Sequence, residues 1–469
     1  MWDFGKYQSN VAVVDEFGKK LTYRELKEAN DGIICSVGKR CLTFCLCANT
    51  IGSIVGYTAF IEGKMPPVLL NAHLEKGLLR NLLDRYLPSY LWVPSEMVLE
   101  FSGMQTVYSS FDYVLLKTNY EKEYTLYDEL CLMLTTSGST GSPKFVRQSY
   151  KNVLTNARQI AEYLGLSETE KPITTLPMNY TYGLSIINSH LLVGATILVT
   201  DKGLMQKEFW SFFKEEGATS FGGVPYTYEM LDRLRFQRMQ LPTLRYMTQA
   251  GGKLIPELHA KFADYAKKND KKFIVMYGQC EATARMGYLP ADKAVEKCGS
   301  MGIAIPGGAF KLIDVNGNLI TEPLVTGELV YEGDNVTLGY AECGDDLVKE
   351  DERAGVLQTG DMAQFDADGY YYIVGRKKRF LKIYGNRVNL DEMDRLIKGK
   401  FAGIDCASAG IDDHMYIFVT NEALAESVRD FVIFKTKLNP AAFKTIVIDE
   451  IPKNDSGKTL YKELVKYYD

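Results

Sequence analysis

The sequence predicts an α/β protein of more than one domain, with a parallel sheet early, a β-rich section late and a compact α+β unit at the end. Three observations carry this expectation. With 469 residues the chain exceeds what one ordinary core holds, so two or three domains are expected. Two apolar runs, residues 41–47 and 68–70, flank a helical stretch at 51–62, and such a β-α-β unit requires parallel strands. Beyond Gly299, short strand-like runs between glycines and prolines take over, and alternating strand and helix patterns follow.

In chain order, residues 11–14, the turn Glu16-Phe17-Gly18 and Leu21-Thr22 read as a hairpin. Residues 23–34 have helical spacing, with Leu26, Ala29 and Ile33 on one face. The apolar stretch 51–70 is broken by Gly52, Gly56, Glu62, Lys64 and two prolines, so it reads as a core helix plus strand and not a membrane span. Residues 130–134 form a strand ending in a loop, and 145–148 a second strand. Ser149 is a good N-cap for a helix carrying Val153, Leu154, Ala157, Ile160 and Leu164, with Gly165 past its end. Further strands are expected at 244–247 and 273–276, and at 327–331 and 336–340 in the β-rich section. Asp366-Ala367-Asp368-Gly369 is a hairpin turn into a strand at 370–374. Asn389 caps a helix. Strands at 407–411, 415–419 and 445–449 with a helix at 423–434 complete a unit of roughly 90 residues, enough for its own core.

Hydrophobic content of 46% with 24% charged residues is that of a globular protein. A net charge of −5 argues against a nucleic-acid binder working by phosphate neutralisation; the basic run Arg376-Lys377-Lys378-Arg379 is local. Nine cysteines, an odd number without a regular framework, fit a reducing compartment. Cys41, Cys45 and Cys47 lie on an apolar run and read as buried thiols. The four histidines, His73, His190, His259 and His414, show no ligand spacing, so no zinc centre is expected. Met1-Trp2-Asp3-Phe4 lacks a basic segment followed by an apolar core, and a cytoplasmic location is expected.

The stretch richest in chemistry is Thr136-Ser137-Gly138-Ser139-Thr140-Gly141-Ser142-Pro143-Lys144. Its glycines let the backbone approach a ligand closely. Hydroxyls of Thr136, Ser137, Ser139 and Thr140 and free backbone N–H groups can face an anion, and Lys144 adds a point charge suited to phosphate. The inference is a polyphosphate-holding loop. It is not the P-loop pattern, and Gly457-Lys458-Thr459 does not supply that pattern either, because Pro452 stands where its first glycine would be.

This loop resembles the signature of the adenylate-forming superfamily, which includes acyl- and aryl-CoA synthetases, adenylation domains of peptide synthetases, and luciferases. Further segments resemble that family's motifs in the same order, from Leu21 to Lys458. Leu176-Pro177-Met178-Asn179-Tyr180-Thr181-Tyr182 is similar to the segment that borders the acyl pocket, and Gly251-Gly252 to the pair that packs against adenine and leaves room for the acid. Tyr277-Gly278-Gln279-Cys280-Glu281 resembles the motif whose tyrosine faces adenine and whose glutamate holds Mg²⁺, a role suited to one carboxylate among nucleotide phosphates. By the same resemblance Asp361 accepts the ribose hydroxyls, Arg376 lies near ribose or phosphates, Lys378 is the hinge, and Lys458 is the catalytic lysine.

The resemblance implies a large N-terminal region, residues 1–376, of two α/β subdomains plus a β-barrel-like part, and a small mobile α+β domain, residues 377–469. It implies ATP and Mg²⁺ as cofactors, a small carboxylic acid as substrate, and CoA or a phosphopantetheinyl carrier protein as thiol acceptor. Catalysis would rest on Lys458, Glu281 and Lys144, nucleotide binding on residues 136–141 with Gly251, Gly252, Tyr277, Gly278, Asp361 and Arg376, and the acid pocket on Tyr180, Tyr182, Gly251, Gly252 and Cys280. Two positions depart from the pattern: Cys280 replaces a threonine, and Lys378 stands where aspartate is usual. No aspartate lies between Leu176 and Ser185 to pair with an α-ammonium, which favours a plain acyl or aryl acid, since desolvating an ammonium without a carboxylate is costly. An amino-acid-activating ligase and a non-catalytic nucleotide- or acyl-binding descendant remain the alternatives.

Overall fold

The structure is a computed structural model that describes residues 1–135, 144–377, 379–401, 403–453 and 459–468 and, of Arg387, the backbone alone. Residues 136–141, expected to hold phosphate, Lys378, expected as a hinge, and Lys458, expected to be catalytic, lie outside the described residues.

An eight-stranded sheet forms the first layer. Its strands run in the order Gly339–Ala341, Phe145–Ser149, Leu130–Thr135, Pro67–Asn71, Thr43–Cys47, Tyr90–Pro94, Tyr113–Lys117 and Gln105–Ser110. The central pairs are parallel, as the β-α-β pattern required, with Phe44 opposite Val68. Alternation along Thr43–Cys47 sends Phe44 and Leu46 into one apolar cluster and Cys45 and Cys47 into another. Helix Ile51–Glu62 covers the second face and is buried along nearly its whole length. At Gly56 an added Cβ would sit 2.1 Å from Nε1 of Trp92, so the helix lies flat on the indole, whose N–H donates to the Gly52 carbonyl at 2.9 Å.

A second sheet, Ser220–Gly223, Tyr246–Gln249 and Lys272–Tyr277, is parallel and ends in two short antiparallel strands, Gly287–Tyr288 and Ile303–Ala304. A third, fully antiparallel sheet of five strands from Ala309 to Arg376 makes the β-rich part. The last unit joins the hairpin Phe380–Ile383/Asn386–Asn389 to a sheet of Cys406–Ile411, His414–Val419 and Phe443–Val447, with its own apolar clusters around Ile397, Ile417 and Leu464.

Local sequence signals set many boundaries. Thr22 and Glu25 form a reciprocal capping box at the start of helix Tyr23–Val37. Ser149 caps helix Tyr150–Leu164, which ends at Gly165 in the left-handed conformation. Two expectations need correction. Only Gly339–Ala341 of the expected strand 336–340 is extended, and it pairs with Phe145–Ser149 in the first sheet instead of joining the β-rich part. The reason is Arg147, a fully buried cation on Phe145–Ser149. Its guanidinium donates to the carbonyls of Leu338, Tyr340, Lys349 and Glu350 and pairs with Glu352 at 2.5 Å, binding the segment to that edge. The expected strand at 244–247 begins at Tyr246, because Leu244 closes a turn onto the Leu241 carbonyl.

Helix Thr181–Leu192 fixes the first sheet against the second through His190. Nδ1 of this buried ring meets the Ile186 carbonyl at 2.7 Å, so Nδ1 carries the proton and Nε2 accepts from the Tyr246 hydroxyl at 2.8 Å. Burial, with the Arg285 charge adding to it, lowers the His190 pKa to about 3. The unfolded chain therefore takes up a proton near pH 6.5 that the folded chain refuses until about pH 3. Stability is expected to fall on acidification across that window, by up to about 1.4 kcal/mol per pH unit. Denaturant titrations at stepped pH should show this slope, and His190→Gln should flatten it.

Candidate active site

The described flanks of residues 136–143 come together, with Thr135 opposite Phe145 in an antiparallel pair. Strand Leu130–Thr135 leads in and Lys144 leads out. The antiparallel register that sets Tyr340 opposite Val146 brings the Tyr340 ring beside Lys144, whose ammonium lies 4.2 Å from the ring centroid. The Arg353 guanidinium lies 4.8 Å from the same ring. The Tyr340 hydroxyl donates to Oε1 of Glu281 at 2.8 Å, and Arg353 donates to the Glu281 carbonyl at 3.0 Å. Burial and the Glu281 charge push the Tyr340 pKa up to about 12, so the phenol stays protonated and acts as the donor. The Glu281 carboxylate is thus oriented by a neutral group, and among the described residues no cation pairs with it within 4 Å. A hard divalent cation such as Mg²⁺ fits this oxygen donor, which has charge to share and a fixed direction.

Cys280 is buried, with Sγ 3.8 Å from the Thr135 carbonyl, immediately before the phosphate loop. A thiol is a weaker donor than the hydroxyl it replaces. Gly278 has no room for a side chain: an added Cβ would stand 1.7 Å from the Ala284 carbonyl oxygen.

A second carboxylate lies on strand Val356–Phe365. Asp361 is buried, and its Oδ2 accepts from the Tyr277 hydroxyl at 2.5 Å and from Gln279 Nε2 at 2.9 Å. Among the described residues its Oδ1 pairs with Arg376 Nε, at 3.3 Å. Burial raises the Asp361 pKa, while Arg376, Tyr277 and Gln279 oppose the shift. Of the residues singled out in the sequence, the structure brings Tyr277, Asp361 and Arg376 together, while Glu281 lies with Tyr340 and Arg353; sequence reasoning did not single out Gln279, Tyr340 or Arg353 for this site. Tyr340 carried a signal, the Gly339-Tyr340 pair, that reads as purely structural; Arg353 sits in a charged run with none.

Tyr180, Tyr182 and Gly251, expected around an acid pocket, lie close together. The Tyr182 hydroxyl bonds Oγ1 of Thr248 at 2.7 Å. Gly251 has φ +83°, and a Cβ there would stand 2.8 Å from the Tyr180 hydroxyl; one at Gly252 would stand 3.0 Å from Pro225. Cys280, also expected there, lies close enough to Tyr180 for the two groups to interact electrostatically, with its Sγ 3.8 Å from the Thr135 carbonyl. The one charged group described against Tyr182 is Arg285, whose guanidinium lies 5.2 Å from its ring centroid. Near the end of the chain, Lys453 pairs with Asp405 at 2.5 Å and lies 6.0 Å from the Tyr226 ring, on the helix that begins at Pro225.

The chain belongs to the AMP-binding enzyme family: the family model matches residues 72–341, more than half of the chain. Among curated relatives, the chain is 29% identical over 370 residues to 4-hydroxybutyrate–CoA ligase 1 of Metallosphaera sedula, covering 74% of this chain and 64% of that protein. It is 26% identical over 412 residues to 2-succinylbenzoate–CoA ligase of Bacillus pumilus, covering 83% and 80%. Among solved structures, O-succinylbenzoate coenzyme A synthetase of Bacillus subtilis, in complex with ATP and magnesium ion, matches with a TM-score of 0.78 at 20% identity and covers 98% of both chains. The α/β architecture is shared along the whole length. Among the described residues no helix is long and apolar enough to cross a membrane.

Proposed function

We propose that this protein activates a small carboxylic acid, other than an α-amino acid, with ATP, forming an acyl-adenylate and pyrophosphate, and then passes the acyl group to a thiol. The observation that carries this reading is the arrangement around Tyr340, which places Glu281, a carboxylate with no cation partner among the described residues, and the cation Lys144 on one ring. The CoA ligases among the relatives support CoA as the acceptor; a phosphopantetheinyl carrier would use the same residues. The buried thiols Cys41, Cys45, Cys47 and Cys131 support a reducing cytoplasm.

In this reading Asp361 takes the ribose hydroxyls with Arg376 beside them, and Tyr277 with Gly251, Gly252 and Gly278 frames the base. Residues 136–141 and Lys144 hold the phosphates and the departing pyrophosphate. Bound at Glu281, Mg²⁺ would neutralise phosphate charge as the acid's carboxylate approaches. Attack of an anion on a polyanion needs preorganised positive charge, and Lys458 would supply it by gripping carboxylate and α-phosphate oxygens in line. Residues 377–469 would then turn about Lys378 to present the Gly385 loop to the thiol. An α-amino acid is disfavoured because the charge beside Tyr182 is a cation, Arg285.

The test is pyrophosphate release from Mg·ATP with a panel of acids, with and without CoA, beside Lys458→Ala. Acid-dependent release that CoA accelerates, and that Lys458→Ala lowers by roughly 100-fold or more, is expected. ATP binding without release for any acid would overturn the reading in favour of a non-catalytic binding protein.

A further inference from the structure

Arg285 is a buried cation whose charge the described protein does not neutralise. It is 3% exposed, and among the described residues no carboxylate lies within 4 Å of it. Taking a guanidinium out of water is costly unless an anion meets it. Its environment is neutral: Nη1 donates to the Tyr163 hydroxyl at 2.9 Å, Nε donates to Oγ of Ser185 at 3.2 Å, and the plane lies over Tyr182. Both hydroxyls spend their own protons elsewhere, Tyr163 on the Met276 sulfur and Ser185 on the Tyr182 carbonyl. They serve the guanidinium only as acceptors, and three of its five N–H donors are left for another group.

The position is also built to be held. Thr283 adopts φ +64°, which turns the chain sharply after Glu281. The Arg285 carbonyl then accepts from two buried amides, Asn156 Nδ2 at 2.9 Å and Asn335 Nδ2 at 3.0 Å. Two fixed amides on one backbone carbonyl hold this residue to a defined place against Tyr182. Gly222 packs closely against the other end of the Tyr182 ring, where a Cβ would stand 3.0 Å from its hydroxyl, so the ring under the guanidinium is held in place as well.

We infer that Arg285 binds a second anionic group on the acid substrate, so that this site takes short dicarboxylic acids, or acids bearing a comparable anion, in preference to simple monocarboxylic acids. The inference rests on the acid-activating function proposed above. One carboxylate of the substrate reacts, and the other forms a bidentate pair with the unused edge of the guanidinium, a geometry in which arginine is stronger than lysine. A site organised around a buried donor rejects analogues that leave it unpaired.

The test compares malonate, succinate and glutarate with propionate, butyrate and monomethyl succinate, measuring acid-dependent pyrophosphate release and, separately, equilibrium binding of each acid. Wild type, Arg285→Gln, Arg285→Lys and Tyr163→Phe are run together, with melting temperature as the check on folding. A dicarboxylate is expected to exceed its monoanionic counterpart by at least ~100-fold in kcat/KM. Arg285→Gln should remove that preference by raising KM for the diacid far more than for the monoacids. Arg285→Lys should restore only part of it, and Tyr163→Phe, which keeps the cation, should retain the preference if Arg285→Gln does not fold. Equal use of mono- and dicarboxylic acids by wild type, or an equal loss on both in Arg285→Gln, would overturn the inference while leaving acid activation standing. If no acid releases pyrophosphate, the activation reading fails, and binding decides this one: dicarboxylate binding lost in Arg285→Gln supports the assignment, and no dicarboxylate binding overturns it as well.

Discussion

Replacing Glu281 by glutamine is expected to slow acid-dependent pyrophosphate release by roughly 100- to 1000-fold, about 3–4 kcal/mol of transition-state stabilisation. The substitution is chosen because it preserves the local structure. The glutamine carbonyl still accepts from the Tyr340 hydroxyl, and the backbone carbonyl of residue 281 keeps its bonds to Thr337 and Arg353. What disappears is the negative charge, and with it the ligand that a divalent cation would use. The melting temperature should be unchanged, while the Mg²⁺ concentration for half-maximal rate should rise. A Glu281→Gln protein as fast as wild type at low Mg²⁺ would remove Glu281 from the reaction.

Arg147→Met is expected to cost about 3–5 kcal/mol of folding stability, the scale seen when a buried, fully bonded charge loses its place. Methionine fills much of the volume but donates nothing, so the carbonyls of Leu338, Tyr340, Lys349 and Glu350 lose a shared partner at once. Glu352 is half exposed and can turn to water, so the damage falls on the backbone carbonyls. Urea unfolding at neutral pH measures this directly. Because the same strand positions Tyr340 against Lys144 and Glu281, activity should fall under conditions where the variant is still folded. A loss below about 1 kcal/mol would show that water replaces the guanidinium freely.

Much of the fold is legible in the sequence because its signals are local. Thr22 with Glu25, Ser149 with Gly165, and the apolar strand around Cys45 each act within a few residues. The site is legible where a motif keeps its chemistry contiguous, as Tyr277 and Glu281 do. Strand Gly339–Ala341 is not, because three residues show no periodicity and its partner lies nearly two hundred positions away. Tyr340 and Arg353 are hidden as well: they stand 59 and 72 positions from Glu281 and gain their roles only when the fold sets them beside it. Arg285 escapes for a different reason. Its significance is the lack of an anion around it among the described residues, and a missing neighbour leaves no mark in a linear sequence.

The late strand Gly339–Ala341 also bears on how the protein is made. During synthesis, Phe145–Ser149 leaves the ribosome long before the three residues that cover its outer edge. Throughout that interval the nascent sheet shows open backbone donors and acceptors, the kind of border that invites pairing with other chains. Arg147 waits there too, without the carbonyls that will surround it. A chain halted anywhere between residues 150 and 338 therefore carries an adhesive rim and a stranded charge at once. The first sheet is completed from the far side of the second, and the two mature together.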